Sequence, residues 1–473
     1  MRLISSTKPK TPSKVRRSHN GAGTVLVTLA ALMLGTLSAQ AQDLQKVPAA
    51  EVHDLTPKPG YFTEPSVAIN PASPQQVVVA YQDNVHVAYS PDAGKTWTTP
   101  PGTAPPDYRV SGDVSIVYNK QGHAFVCYIA FDRLGTTNYW AHGAIRNGIF
   151  VRRSLDGGAT WEKQDFPVAE QPTQPGIPFE DKPYIVADDT DGPYSGTLYV
   201  GWTRWTLVDS QILLSRSTDD GKAWSQPIEI DSHRGLPRDD NGANEGFSGV
   251  VGPDGTLYAV WADGNHILLT SSQDGGRTFK PAQNVIDTAP IMFDVEGLER
   301  SNGFPVIGMD RKSGRLYVAW SDYRNGGVDV FCSTSSDRGQ TWTPAVRVNS
   351  DPIHNGADHF FQWLAVDPAT GAANVVFYDR RGDPDNRSAT VVLARSTDEG
   401  QTFVNYAWTD TPFTPDKDAF FGDYTGLAAR DGRVYGVWTE KPSKPRGTIV
   451  RLGVADFNAR SNNRLAPNTV AAR

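Results

Sequence analysis

One octapeptide constrains this chain more than any other feature. Ser-x-Asp-x-Gly-x-Thr-Trp first appears as Ser90-Pro91-Asp92-Ala93-Gly94-Lys95-Thr96-Trp97 and recurs as Ser154/Asp156/Gly158/Trp161, Ser217/Asp219/Gly221/Trp224 and Ser272/Asp274/Gly276/Phe279. Two further copies, Ser335/Asp337/Gly339/Trp342 and Ser396/Asp398/Gly400/Phe403, complete a set whose aspartates lie 55 to 64 residues apart. A fixed period of about 60 residues marks a stacked supersecondary unit. Within the octapeptide, Asp and Ser fold back onto backbone N–H groups, Gly takes a positive φ, and the aromatic returns to the core, so each copy reads as a hairpin turn.

A second pattern precedes each turn: an apolar strand, a short Gly/Asp/Pro turn, and a strand ending in an aromatic. Leu198-Tyr199-Val200-Gly201-Trp202 and Leu316-Tyr317-Val318-Ala319-Trp320 are examples, and there are seven such units, one more than the octapeptides. After the seventh, a single strand remains (Thr448 to Val454), so the missing outer strand is expected from Lys46 to Leu55, closing the ring without an open edge. The expected fold is all-β: one propeller of four-stranded blades over residues 42–457, followed by a polar tail at 458–473. Seven blades are preferred, with a six-bladed ring carrying one irregular unit as the alternative.

Residues 1–41 differ in kind. Lys8, Lys10, Lys14, Arg16 and Arg17 precede the apolar run Thr24 to Leu37, and Ala39-Gln40-Ala41 fits a small-x-small cleavage site. This describes a secretory signal peptide; the apolar run is short for a membrane anchor. The expectation is a secreted or periplasmic monomer with no membrane contact after cleavage. The chain's formal net charge is −7, and loss of the leader's six basic residues, Arg2 included, takes it to −13. Such a balance offers no basic surface for nucleic acid. Cys127 and Cys332 are expected to be separate buried thiols.

In each blade, strands A to D run outward from the axis. The A–B turns and the octapeptides share one end of the ring; the longer B–C and D–A connections share the other, where binding and catalysis belong. The residues just before strand A are Glu64, Asp113, Asp181, Glu245, Asn302, Asp358 and Asp423, one per blade. Just after strand B come Asp83, Asp132-Arg133, Thr203-Arg204, Asp263, Asp322-Tyr323-Arg324, Asp379-Arg380-Arg381 and Glu440. The mouth is therefore expected to be a ring of carboxylates interleaved with arginines, joined by His359, Trp363 and Tyr424. Any one of these residues, taken alone, reads first as a turn cap or a local ion pair, and it is their recurrence once per blade that points to a site.

The octapeptides resemble the Asp boxes of sialidases and related β-propellers, and the resemblance covers nearly all of the chain after residue 41. It implies structural turns remote from the active site, and a glycan or polysaccharide as partner. In sialidases three arginines clamp the sugar carboxylate, a tyrosine with a glutamate partner is the nucleophile, and an aspartate is the acid/base. The first arginine belongs to a Phe-Arg-Ile-Pro motif; this chain has Phe62-Thr63-Glu64-Pro65, with Thr63 in its place. By that resemblance Arg204, Arg324 and Arg380 are candidates for a different anionic clamp and Tyr424 for the tyrosine. Glu64/Asp423 or Asp113/Asp181 are candidate acid and nucleophile pairs, with Glu245, Asp358, His359 and Trp363 beside them. Three readings stay open: a sialidase-like glycoside hydrolase, a non-catalytic carbohydrate- or protein-binding propeller, and a polysaccharide lyase using His359, Tyr424 and Arg380. No nucleotide, flavin or haem motif is present. No metal ligand is assigned, but Ca²⁺ held by carboxylates in the mouth is a further reading, and Asp188-Asp189-Thr190-Asp191-Gly192 and Asp383-Pro384-Asp385-Asn386 resemble Ca²⁺ loops only loosely.

Overall fold

Seven sheets, antiparallel apart from one short pairing at the rim of the sixth, are arranged as the blades of a propeller and carry the chain from Gln45 to Asp456. The computed structural model describes residues 44–103, 107–132, 146–172, 178–238, 242–290, 295–409, 411–415, 419–442 and 446–459. The leader assigned to residues 1–41, Arg133 and nearly all of the tail lie outside the described residues. The innermost strands are Thr63–Ile69, Val110–Tyr118, Phe179–Ala187, Asn244–Val251, Val306–Asp310, His359–Val366 and Gly426–Arg430. Five blades have four strands of their own or a borrowed fourth. The first blade has three, with a Tyr89–Thr98 bridge in the fourth position, and the sixth has five.

The ring closes as the strand count requires. Glu51–Asp54 pairs antiparallel with Ile449–Asp456 and supplies the outer strand of the seventh blade. Gln45–Lys46 adds an unforeseen contact, pairing parallel with Tyr406 and Ala407 at the rim of the sixth blade. The N-terminal segment thus ties the last two blades together. Deleting residues up to Asp54 is expected to bare the edge of Ile449–Asp456, lower the melting temperature and promote self-association, read by thermal melts and size-exclusion chromatography.

The repeated units fold alike because each buries the same side chains. Trp202, Trp261, Trp320 and Trp438, two or three residues before the ends of the second strands of their blades, are 0% exposed between neighbouring sheets. Adjacent innermost strands are stitched by serines: Ser66, Ser115 and Ser248 accept the backbone N–H of Ile116, Ile185 and Ile307, each at 3.2 Å. The octapeptides form the expected turns. Asp156 accepts from Thr160 N–H at 2.8 Å and Thr160 Oγ1 at 2.6 Å, while Ser154 Oγ accepts from Gly158 N–H at 2.8 Å. Gly158 sits at φ +103°, and a Cβ there would collide with Val78. Cys127 and Cys332 are free and buried, as expected.

Candidate functional site at the propeller axis

Strand pairing divides the expected ring of seven into two adjacent rings. In blades 1, 2, 3, 4 and 6 the innermost strand carries a β-bulge near its start, between Thr63/Ser66, Gly112/Ser115, Asp181/Tyr184, Glu245/Ser248 and Phe360/Trp363. The second residue of each bulge has a positive φ: Glu64, Asp113, Lys182, Gly246 and Phe361. A bulge re-aims side chains, and bulges cluster beside functional sites. Pairing one residue before the buried tryptophan extends the register to Gly303/Phe304 in blade 5 and Asp423/Tyr424 in blade 7. Asp181, Glu245 and Asp423 therefore share the first ring, with Glu64, Asp113, Lys182, Phe304, Phe361 and Tyr424 in the second. Asn302 and Asp358 fall before both rings.

The mouth is a cavity of about 520 Å³ on the end that carries the long connections. Asp113, Asp181, Glu245 and Asp423 line it with Asp83, Glu299, Lys182, Arg300 and the aromatics Tyr61, Phe131, Phe179 and Phe420. A smaller cavity of about 40 Å³ is lined by Tyr184, Phe247, Phe304, Trp363 and Tyr424. Lys182 and Asp423 border both cavities. Trp363 stacks toward Tyr184 and Tyr424 with ring centroids 5.7 and 5.8 Å apart.

Asp423 is the hub of the floor. Arg300 grips it with two N–H groups, Nε to Oδ1 at 2.9 Å, and Lys182 Nζ stands 3.6 Å from Oδ2. The Lys182 ammonium also lies over the Phe304 and Tyr424 rings, 4.6 and 5.0 Å from their centroids. Burial alone would raise the Asp423 pKa, but Arg300 and Lys182 outweigh it and hold the carboxyl below its ordinary value. Lys182 is raised: burial opposes its charge, and Asp423 and Glu245 lead the carboxylates that overcome it. Glu64 shifts the other way. Burial, then Asp113 and Asp423, push it well above the ordinary glutamate range. Its Oε1 accepts the Asp423 backbone N–H at 3.0 Å, and its buried Oε2 has no hydrogen-bond partner. The pKa values of two neighbouring carboxyls are thus driven in opposite directions, Glu64 upward and Asp423 downward, as in acid–base sites.

The other predicted residues are placed elsewhere, and the corrections share one cause: each found a local partner. Arg204 binds Glu180 (Nε to Oε1 2.9 Å), which also accepts Trp202 Nε1 at 2.6 Å. Arg324 binds Asp322 (2.9 Å), which accepts Trp320 Nε1 at 2.9 Å. Arg380 is fully buried and donates to the carbonyls of Asn386 and Glu296, both at 2.8 Å, with Asp358 3.9 Å away. None of the three lines either axial cavity, so the expected arginine clamp is not assembled. Of the carboxylates that follow strand B, Asp322 and Glu440 accept from Trp320 and Trp438 and pair with Arg324 and Arg451. Asp358 bonds Asn386 and the Val328 N–H. His359 is wholly buried beside Asp351 and Asp379, away from the mouth, which removes it as the base of a lyase. Tyr424 faces the smaller cavity with its hydroxyl on the Val114 carbonyl at 3.3 Å, and burial followed by Glu64 raises its pKa well above the phenol range.

Sequence reasoning missed Lys182, Arg300 and Tyr61. The signal for Lys182 was the proline after it, since Glu64-Pro65, Lys182-Pro183 and Phe304-Pro305 all occupy the second ring. Of the two loosely Ca²⁺-like loops, Asp188 accepts from Thr190 while Asp189 and Asp191 pair with Arg311 and Lys120. In the other, Asp383 caps the backbone of Ser388. Among the described residues no group of three or more His, Cys, Asp or Glu is arranged to hold a metal ion, and no helix is long and apolar enough to cross a membrane.

No family model matches the chain. A sialidase of Bacteroides fragilis is 28% identical over 218 residues, covering 41% of this chain and 37% of that protein. A sialidase of Micromonospora viridifaciens is 28% identical over 283 residues, 54% of this chain and 40% of its own length. The chain thus spans about two fifths of the curated relatives it matches. Among solved structures, the phage phi92 endosialidase superposes with a TM-score of 0.51 at 11% identity, covering 90% of this chain and 71% of that one. That likeness shows the fold alone. The chain is a seven-bladed β-propeller with weak, partial sequence similarity to two sialidases.

Proposed function

We propose that this protein is a secreted or periplasmic glycoside hydrolase, active as a monomer, that binds a glycan in the axial mouth. One observation carries the reading. A cavity of about 520 Å³ presents Asp113, Asp181 and Glu245 from three consecutive blades, beside a carboxyl pair, Glu64 and Asp423, whose pKa values shift in opposite directions. Glycoside hydrolysis needs one carboxyl to protonate the leaving oxygen and another to act as base or nucleophile. Asp113 and Asp181 face the cavity and are assigned these roles. Glu64 lies outside the cavity lining, its pKa raised by burial and then by Asp113 and Asp423, and acts as a positioning residue. Asp423, already engaged by two cations, anchors the floor.

Fluorogenic glycosides and polysaccharides assayed in parallel test this. Asp113→Asn and Asp181→Asn are each expected to cut kcat/KM by about 10²–10⁴-fold; in Asp181→Asn the amide oxygen can still accept the Trp205 Nε1 hydrogen bond that Asp181 Oδ2 takes at 2.8 Å. Activity is expected to fall as pH rises through the raised Glu64 pKa, where the proton beside Asp113 is lost. Unchanged turnover in both variants would refute the assignment. Asp423's double ion pairing favours a second reading, glycan binding without cleavage, for which the wild type would bind members of the panel and turn over none.

A further inference from the structure

Resting on the reading of the mouth as a glycan site, we propose that the glycan it takes is an oligosaccharide of two or more rings, and that Tyr61 is the platform on which a ring beyond the scissile position lays its C–H face. Of the four aromatics that line the mouth among the described residues, three are committed elsewhere. Phe131 and Phe179 are buried and meet edge to face with centroids 5.8 Å apart, and the Arg300 guanidinium lies 5.1 Å over the Phe420 ring. Tyr61 is 67% exposed, and among the described residues its side chain has no ring, cation or hydrogen-bond partner. The cavity, at about 520 Å³, is that of a site for a ligand larger than a single pyranose ring.

The Tyr61 ring is exposed, but the backbone beneath it is held from both sides. Gly60 and Thr448 exchange hydrogen bonds of 2.9 and 2.7 Å, tying the segment to the seventh blade. A Cβ on Gly60 would come within 2.7 Å of the Phe62 ring, so this turn closes only without a side chain there. Phe62 packs edge-on against Tyr81 and His86, with centroids 5.8 and 5.4 Å away. One residue further, Thr63 Oγ1 accepts from Gln82 Nε2 at 2.9 Å, and Gln82 Oε1 accepts the Asp113 backbone N–H at 2.9 Å. The platform is thereby linked through a single side chain to the backbone of Asp113, a carboxyl assigned to the reaction. An aromatic mounted this way loses little conformational freedom on binding, and its face buries the apolar C–H surface of a sugar ring.

Calorimetric titration of the full chain with tetrasaccharides of glucose, galactose, mannose and xylose, each beside its methyl monoglycoside, tests the proposal. At least one tetrasaccharide is expected to bind about tenfold tighter than its monoglycoside. Tyr61→Ala is expected to cut that preference about tenfold, and Tyr61→Phe to keep it, because the ring face and not the hydroxyl makes the contact. A preference unchanged in Tyr61→Ala would overturn the platform and leave the glycan site standing. A loss in Tyr61→Phe equal to that in Tyr61→Ala would assign the contact to the hydroxyl and overturn the stacking. Monoglycosides bound as tightly as tetrasaccharides would make this a site for a terminal sugar and overturn the oligosaccharide assignment. Binding of no member of the panel at the mouth would overturn the glycan site as well.

Discussion

Replacing Asp423 by alanine is expected to lower the unfolding free energy by about 3–5 kcal/mol, because it leaves two cations at the axis without their nearest counter-charge. Lys182 would be stranded between the Phe304 and Tyr424 rings, and Arg300 would lose both hydrogen bonds to the carboxylate. Part of the site's protonation pattern should go with it. Asp423 is one of the charges holding Glu64 high, so in Asp423→Asn the Glu64 pKa should fall. The signs of the two linkages differ. The Asp423 pKa is depressed by folding, so its contribution is present above the ordinary carboxylate value and lost as pH falls through the lower folded value. The Glu64 pKa is raised, so its contribution is complete below the ordinary glutamate value and lost as pH rises through the folded one. Denaturant unfolding across pH should show Asp423→Asn flattening both limbs. A variant as stable as wild type with the same pH profile would contradict this account of the floor.

His359→Gln should cost a similar amount, about 3–5 kcal/mol, for a different reason. Between blades 5 and 6, Asp329, Asp351 and Asp379 face Arg347, Arg381 and His359, and a protonated imidazole would bring these six groups to neutrality. Arg347 meets Asp329 at 2.9 Å and Asp351 at 3.1 Å, and Arg381 meets Asp379 at 2.6 Å. His359 Nε2 lies 3.2 Å from Asp351 and 3.5 Å from Asp379, while Nδ1 faces the Val328 carbonyl at 3.2 Å. Burial alone would lower the imidazole pKa; Asp379 and Asp351 outweigh it and raise it. Burial likewise opposes the Asp379 charge, and His359 and Arg381 overcome that to hold its carboxyl well below the usual range. The histidine's stabilisation is therefore complete below its ordinary pKa of about 6.5 and fades as pH rises through the raised folded value. The wild type should lose stability over that alkaline window and His359→Gln should not. Equal stability and equal pH slopes would mean the imidazole is neutral in the fold.

The blade count and ring closure were legible because they rest on patterns a single chain displays: the Leu-Tyr-Val-x-Trp strands, the Ser-x-Asp-x-Gly turns, and a final blade one strand short. Gln45–Lys46 was not, since two residues in a parallel pairing carry no periodicity. The axis was half legible. A bulge adds one residue without disturbing the alternation on either side of it, so Asp181 and Glu245 looked equivalent to Glu64 and Asp113 although they stand one step earlier. The same step hid Lys182 behind Asp181. Ion-pair partners are chosen in space: nothing near Arg204 in the pattern showed that Glu180, one strand away, would claim it along with Trp202.

Hydrogen–deuterium exchange with and without the tightest-binding glycan of the panel tests the central claim most directly, that the axial mouth is the glycan site. Protection is expected at the two-ring segments, residues 111–115, 181–184 and 421–425, and at Tyr61. Protection confined to the Ser-x-Asp turns or the outer strands, with those axial segments unchanged, would contradict it.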